Sequence, residues 1–437
     1  MRSAGTAETG QCAGAVPGVA ARASAPSLAS SQPLPRASAA AGLSTTLIAT
    51  GHGADYSLAM HMTHFSWRLV QLALLASALA LGTGAGAQPL PPAPPSVQPD
   101  SGPWDSGAGF DFDLGKKKLK KTRQSVSGMA CNLDARRQRI CLMAFDEGVQ
   151  ARYARLGDNA LIPDAEPVAL RAGSGELDAE GAATDGRYFY VTGSHSAKRG
   201  DCASNLESRH VLRLAVDPAT GRAARTAGGG ALAGYADSGR LWSIRQAHPA
   251  LAPYVGEGKC LGADPRPDAP ALAGQQGVNI EGLAVQGGRL YFGFRGPSFK
   301  DAALVLAVDT DALFDAQATR DPKASVTRLA LGRNRGIRDM VAVTGGLLLL
   351  AGPDDSRANQ DAGWVVAWWD GQSAPDRVVQ PKILAALDLG GVKLRKCDKE
   401  LKPEAMTVLE ETPAAYKLLI LSDGLCDGGP LAFTLAR

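Results

Sequence analysis

The sequence predicts an all-β fold, a single β-propeller of five or six blades, and three observations carry that prediction. A two-strand unit recurs five times in one register. The turns inside those units hold residue pairs that tight hairpins require. Glycine and proline are abundant, at 51 and 27 of 437 residues, which favours many turns over helix bundles. Hydrophobic content of 45% and charged content of 20% suit a globular protein with a substantial core. The net charge of +3 is too small to point to nucleic acid or a membrane surface as partner.

The chain opens on Met1–Ala59, a stretch of Ala, Ser, Gly and Pro that cannot bury enough apolar surface to order itself. From Met60 the pattern changes. A polar lead containing Arg68, an apolar run over 69–81 and the small residues Ala85, Gly86 and Ala87 before Gln88 follow the order of a secretory signal peptide. The natural start is therefore expected at Met60 or Met62, with 1–59 an upstream or disordered extension and 60–87 the signal peptide. The apolar run is shorter than the roughly 20 residues of a membrane span, so no stable span is expected after cleavage. A Pro-rich tether is expected over 88–104, and the propeller over 105–437. The Lys116–Lys121 run reads either as an anion patch or as the solvated face of an edge strand that discourages aggregation.

Seven cysteines are present, and only Cys12 precedes the signal peptide. The remaining six form an even set, as an oxidising compartment favours. A sequential pairing, Cys131–Cys141, Cys202–Cys260 and Cys397–Cys426, is one of 15 that six cysteines allow. No C-x-x-C spacing points to zinc. Export to the periplasm or the medium follows from the signal and the cysteines together.

The repeating segments begin at Ser127 (SGMACNL), Glu180 (EGAATDGRYFYVTGSHS), Glu281 (EGLAVQGGRLYFGFRGP), Asp339 (DMVAVTGGLLLLAGPDD) and Glu404 (EAMTVLEETPAAYKLLILSDG). Asp185-Gly186, Gly287-Gly288 and Gly345-Gly346 tolerate the positive φ that two-residue hairpins need. Third strands are expected over His210–Val216, Ala303–Val308 and Trp364–Trp368. A unit recurring every fifty to sixty-five residues resembles a propeller blade of roughly 40–50 residues. The step from Glu180 to Glu281 is about twice as long and includes helical stretches in 232–254. It holds either a degenerate sixth blade or an insertion.

The register sets one column just before each first strand: Ser127, Glu180, Glu281, Asp339 and Glu404, four of them acidic. In a propeller the first strands line the central channel, so these positions form a ring at one mouth. The second strands return to the same face and bring Glu147, His195, Arg295, Asp354 and Asp423 beside it. Three readings stand. The acids Glu180, Glu281, Asp339 and Glu404 could hold a hard cation, calcium above all. Crowded carboxyls could instead supply an acid or base near neutral pH. Or each acid accepts backbone N–H bonds from the neighbouring blade, with the following Gly easing close approach. Ligand contacts are expected from the same acids with His195, Arg295 and Asp354. Arg295, Arg335 and Arg338 could balance an anionic ligand group.

His195 lies in the run Gly193-Ser194-His195-Ser196, and with Arg295 it is the candidate for a catalytic role. Only His210 and His248 join it after the signal peptide, too few for a multi-His metal site. No G-x-S-x-G elbow, phosphate-cradling loop, dinucleotide fingerprint or H-E-x-x-H is present.

The segments LDAEGAATDGRYFYVTGSHS, NIEGLAVQGGRLYFGFRGP and GIRDMVAVTGGLLLLAGP resemble the bacterial family known as domain of unknown function 3616, from about Ser125 to the C-terminus. That resemblance implies a secreted propeller and brings no assigned reaction. The strand starts at Glu180, Glu281, Asp339 and Glu404 look more distantly like those of phytase-like or esterase-like propellers, where an acidic mouth implies calcium and phosphoester chemistry. The expected function is an exported, monomeric propeller that binds a small anionic ligand or a protein partner at its acidic mouth, with calcium as the ion to test. The alternatives are a metal-assisted hydrolase of phosphoesters or other esters and a non-catalytic cell-envelope scaffold.

Overall fold

The computed structural model describes residues 93–112, 116–173, 175–199, 201–261, 276–299, 301–356 and 361–437. The segments expected to be an upstream extension, 1–59, and a signal peptide, 60–87, lie outside the described residues. A two-residue strand, β1 (Ser96–Val97), and a short helix, α1 (Lys116–Arg123), precede the first blade. The lysine run is thus helical; the edge-strand reading of it is corrected. Its five lysines and one leucine are good helix formers with no β-branched residue among them, and the helix end packs against the turn at Cys426–Gly428.

The described residues then form five blades. Blade 1 is β2 (Val126–Leu133), β3 (Arg139–Phe145), β4 (Gln150–Gly157) and β5 (Ala160–Ala169). Blade 2 is β6 (Ala179–Thr184), β7 (Tyr188–Gly193), β8 (Val211–Ala215) and β9 (Ala236–Ser238). After it, α2 (Arg240–Ala247) packs outside the blades. Blade 3 is β10 (Asn279–Gln286), β11 (Arg289–Gly296), β12 (Ala303–Asp309) and β13 (Ser325–Leu329), with α3 (Thr310–Leu313) between the last two. Blade 4 is β14 (Arg335–Val343), β15 (Gly346–Pro353) and β16 (Trp364–Trp369), completed by β18 (Lys382–Leu387) after β17 (Val378–Val379) has paired with β13. Blade 5 is β19 (Lys402–Glu411), β20 (Ala415–Asp423) and β21 (Leu431–Ala436). The long step between Glu180 and Glu281 therefore holds an insertion around α2 rather than a sixth blade.

Turn chemistry fixes the blade 3 hairpin as the sequence predicts, whereas in blade 2 Thr184 pairs with Phe189 and the turn is longer than Asp185-Gly186 alone. Gly287 and Gly288 take φ of 58° and 74° between the paired Gln286 and Arg289, which is where a residue with a Cβ would be strained. In blade 4 the loop is Thr344-Gly345, since Gly346 already pairs with Val343. The turn lies one residue earlier than expected.

Each first strand touches the next in cyclic order, β2, β6, β10, β14, β19 and back to β2, which is the closed ring of a propeller. A narrow cavity of about 190 Å³ runs along them, lined by Met129, Ala182, Ala284, Met340 and Thr407, one from each blade. Apolar side chains fill the spaces between blades; Leu283, Phe292 and Leu306 in blade 3, for example, are fully buried.

From residue 93 the described part of the Pro-rich segment is extended and fastened to the ring. β1 pairs in parallel with β18 of blade 4. The Asp100 and Trp104 N–H groups donate to the Ala432 and Pro430 carbonyls beside β21, both at 2.8 Å. Asp105 bridges to Ala160 at the edge of blade 1. This strap spans the last and first blades, where the ring must close.

Candidate functional site: the channel mouth

Each first strand carries a β-bulge near its start. The register skips Ser127, Glu180, Glu281, Arg338 and Glu404 in the five blades. A bulged residue is left out of the ladder and its side chain is re-aimed, and here the five side chains turn toward one another. The ring position in blade 4 is therefore Arg338; the expected column is corrected there by one residue. The column also lies inside the first strands rather than just before them.

One arginine organises the ring. Arg338, 1% exposed, places Nε 2.6 Å from Glu281 Oε2 and pairs through Nη2 with Glu404 Oε1. Its Nη1 donates to the Pro353 carbonyl at 3.2 Å. Glu281 also accepts from Arg295 Nη1 at 2.9 Å and from Asn279 Nδ2 at 3.1 Å. Ser127 Oγ lies 3.5 Å from Glu404 Oε2. Burial works to raise the Glu281 carboxyl, but Arg338 and Arg295 outweigh it and hold the group below its usual range. Burial lowers Arg338 to about 10.

Asp339 has a different place. It is fully buried, its Oδ1 accepts from the Met340 N–H at 2.7 Å and its Oδ2 from the Met406 N–H of blade 5 at 2.5 Å. The Leu283 N–H of blade 3 also points to it. One carboxyl thus ties three blades together, as the strut reading of the column describes, and it does not face Glu281 or Glu404. The glycines that follow the bulges serve the same close approach. A Cβ on Gly128 would lie 2.7 Å from the Ala182 backbone nitrogen, and one on Gly181 would lie 2.8 Å from Leu283 Cβ.

Glu180 is the acidic ring member with no arginine paired to it. It is half-buried, and among the described residues no hydrogen bond or ion pair reaches its carboxyl. Burial, then the charges of Glu281, Asp178 and Asp146, push that carboxyl well above its usual range. Asp146 is raised in the same way by burial and by Asp423, Glu147 and Asp178. Burial raises Asp178 despite the hydrogen bond it accepts from Ser194 Oγ, and raises Asp423 despite Lys402 and Arg338. The mouth therefore divides into a neutralised half, built on Arg338 and Arg295, and an acidic half of Glu180, Asp178, Asp146 and Asp423.

The other predicted residues fall around this division. Arg295, expected to orient an anion, is committed to Glu281 and to Asp355, whose Oδ1 lies 3.1 Å from its Nε. Asp354 accepts from Ser298 Oγ and the Ser356 N–H, and Glu147 pairs with Lys121. His195 is 1% exposed and turns away from the mouth, with Nδ1 3.0 Å from Arg245 Nη2 of α2. Ser194 bonds Asp178 and Ser196 rather than His195, so no Ser–His–acid triad forms there. Arg335 reaches the Ala362 and Gly363 carbonyls.

Asp146, Asp178 and Asp355 join the site without having been named from the sequence. Each lies one or two residues from a named acid, and the strand ends carry the signal once the bulge register is known. Among the described residues no three ring or mouth acids bring ligand atoms within 4.8 Å of one another; the group that does so is Cys397, Asp398 and Cys426. Asp398 there is held by Arg395 through both oxygens.

Two of the three expected disulfides are present, Cys131–Cys141 and Cys202–Cys260. Cys397 and Cys426 are free thiols, which corrects the third. The Cys426 thiol donates to the Cys397 carbonyl at 3.1 Å, and the two sulfurs lie within 4.8 Å of each other without a bond. Burial raises the Cys426 thiol to about 12. The two bridges accord with an oxidising, extracytoplasmic environment. No helix among the described residues is long and apolar enough to cross a membrane.

A family model described as "Protein of unknown function (DUF3616)" matches residues 144–218 and 220–427. No curated protein matches the chain. Among solved structures, the chain is similar to a putative glycoside hydrolase from Parabacteroides distasonis, at 9% identity over 81% of this chain and 95% of that one, with a TM-score of 0.32. It is similar also to a GH43 endo-arabinanase from Bacillus licheniformis, at 10% identity over 76% and 96%, with a TM-score of 0.31. An exo-1,5-α-L-arabinanase from a bovine ruminal metagenomic library matches at 9% identity over 75% and 95%, with a TM-score of 0.36. Those activities belong to those proteins.

Proposed function

This chain belongs to the DUF3616 family, and from that premise we propose that it is an exported, periplasmic or secreted propeller that binds a cationic group at the acidic half of its channel mouth. Glu180 is the anchor. The observation that carries the reading is the asymmetry of the ring: Glu281 and Glu404 share Arg338, while Glu180 has no ion pair among the described residues, feels the acids Glu281, Asp178 and Asp146 more strongly than Arg338, and remains half-buried. Carboxyls crowded in this way hold protons above their usual range, and a cation can take the place of those protons.

The spacing of the acids favours a ligand broader than a bare ion. A calcium ion collects six to eight oxygens at 2.3–2.6 Å, whereas these carboxyls are spread. A protonated amine, whether of a small ligand or of a partner's lysine, needs no such convergence. Calcium is the second ligand to test, held by Glu180, Asp178 and Asp146 if they draw together. A small anionic ligand is disfavoured, since Arg295 and Arg338 already carry buried carboxylates.

A hydrolase of esters or phosphoesters is the second reading, and one observation favours it. Glu180 is raised while its neighbour Glu281 is lowered, and two carboxyls pushed apart in this way can divide acid and base roles. Thermal unfolding in EDTA, then with calcium, magnesium, manganese or spermidine, tests the binding reading. A native-state ligand at about 100 times its Kd contributes roughly 2.7 kcal/mol. A rise with one of these cations that Glu180→Gln abolishes supports the proposal, and no rise with any removes it. Turnover of a chromogenic ester that depends on the cation would move the protein to the second reading.

A further inference from the structure

Past Asp423, where β20 ends, the chain makes the turn Cys426–Gly428, and the loop between β18 and β19 brings Cys397 to it. The two sulfurs and an Asp398 oxygen lie within 4.8 Å of one another. The other four cysteines of the described residues are bonded in pairs, whereas these two are free thiols. Each sulfur has an acceptor of its own: Cys426 donates to the Cys397 carbonyl at 3.1 Å, and Cys397 lies 3.7 Å from Asp398 Oδ1.

Both cysteines are held by bonds that leave their sulfurs free to turn. Gln124 donates to the Cys397 carbonyl, Arg395 Nη2 donates to the Cys426 carbonyl, and the Cys426 N–H donates to Asp398 Oδ1 at 2.8 Å. Cys426 is buried while Cys397 is half-buried, which leaves an approach from solvent on the Cys397 side. Two guanidinium groups, Arg123 and Arg395, lie close enough to feel charge on either sulfur.

The donor set selects the ion. Asp398 is already committed: Oδ2 accepts from Arg395 Nε at 3.0 Å and from the Arg395 N–H at 2.6 Å, and Oδ1 accepts from Arg395 Nη2 at 3.0 Å. The group includes no histidine. A structural zinc ion takes four ligands, and only two thiols are on offer. Soft thiolates favour copper(I), which two ligands in line can satisfy. Two collinear bonds of about 2.3 Å, the length a thiolate makes to zinc, span about 4.6 Å, a distance these sulfurs can adopt.

We propose that Cys397 and Cys426 bind copper(I) as a two-coordinate bis-thiolate. Binding forms two copper–sulfur bonds and releases both thiol protons, with no change of oxidation state. The complex carries a net negative charge, which Arg123 and Arg395 offset.

The test titrates copper(I), supplied as its acetonitrile complex, into the full chain carrying Cys12→Ser, under nitrogen and in competition with bathocuproine disulfonate. Native mass spectrometry should show a single copper retained per chain, and X-ray absorption should show sulfur neighbours only. Cys397→Ser, at the half-buried position, should lose that retention. Equal retention in Cys397→Ser, or a copper with no sulfur neighbour, would overturn the proposal. If Cys397→Ser does not fold, alkylation of the parent chain by iodoacetamide decides the question: copper(I) should protect Cys397, and equal labelling with and without it sinks the idea. A Cys397–Cys426 disulfide mapped in protein purified from the periplasm without reductant would sink it too.

Discussion

Arg338 in the fourth blade occupies the bulge position that Glu281 holds in the third, and its Nε lies 2.6 Å from Glu281 Oε2. One register position thus carries opposite charges in adjacent blades. A ring that would otherwise repel itself is stitched from blade 3 through blade 4 to Glu404 of blade 5. The same stitch leaves blade 2, with Glu180, outside the neutralised set.

Replacing Arg338 with Met should leave Glu281 and Glu404 buried and short of their shared cation. Breaking a buried pair by removing one partner costs about 3–5 kcal/mol. Urea unfolding of Arg338→Met checks this, and a loss under about 1 kcal/mol would mean that the ring is not held by that arginine.

Asp339 predicts a smaller effect of different origin. Its two oxygens accept N–H groups from different blades, so Asp339→Asn turns one of them into a donor facing a donor. An unsatisfied buried group costs about 1–3 kcal/mol. Equilibrium unfolding should show a loss in that range, with no change in any cation response at the mouth. An altered cation response would place Asp339 in the binding site instead.

The blades and their hairpins were legible because each turn needs its own residues: Gly287-Gly288 can hardly be anything but a hairpin between Leu283–Val285 and Leu290–Phe294. The ring was legible in four blades of five. It failed in blade 4 because Asp339 imitates the acid of its neighbours, and nothing in the sequence marks a bulge, which moves the inward residue to Arg338. A shift of one position turns a strand's side chains to the other face. The same offset separates the named Glu147 and Asp354 from Asp146 and Asp355, which join the mouth network. The fate of His195 was not legible, since its partner Arg245 comes from an insertion fifty residues on.

The raised carboxyls give a pH dependence with a definite sign. Burial first, and neighbouring charges after it, lift Glu180 and Asp146 well above their ordinary values, while burial lifts Asp178 and Asp423. Such groups bind more protons in the folded state than in the unfolded one. The stability they lend is fully present below about pH 4, where the unfolded groups titrate, and is lost as pH rises through their folded values. Glu281, held low, works the other way and loses its contribution on acidification. Urea unfolding without added divalent ions should show stability falling from pH 5 to pH 8, with a shallower fall in Glu180→Gln. A rise across that interval would contradict the assignment.

The central claim, that a cation displaces protons from the acidic half of the mouth through Glu180, is tested most directly by titration calorimetry. Spermidine and calcium would each be titrated into the wild type and into Glu180→Gln at pH 7, in two buffers of different ionisation enthalpy. The account predicts saturable heat for at least one cation, an enthalpy that differs between the buffers because protons are released, and loss of both effects in Glu180→Gln. No binding heat with either cation, or the same heat in the variant, would contradict it.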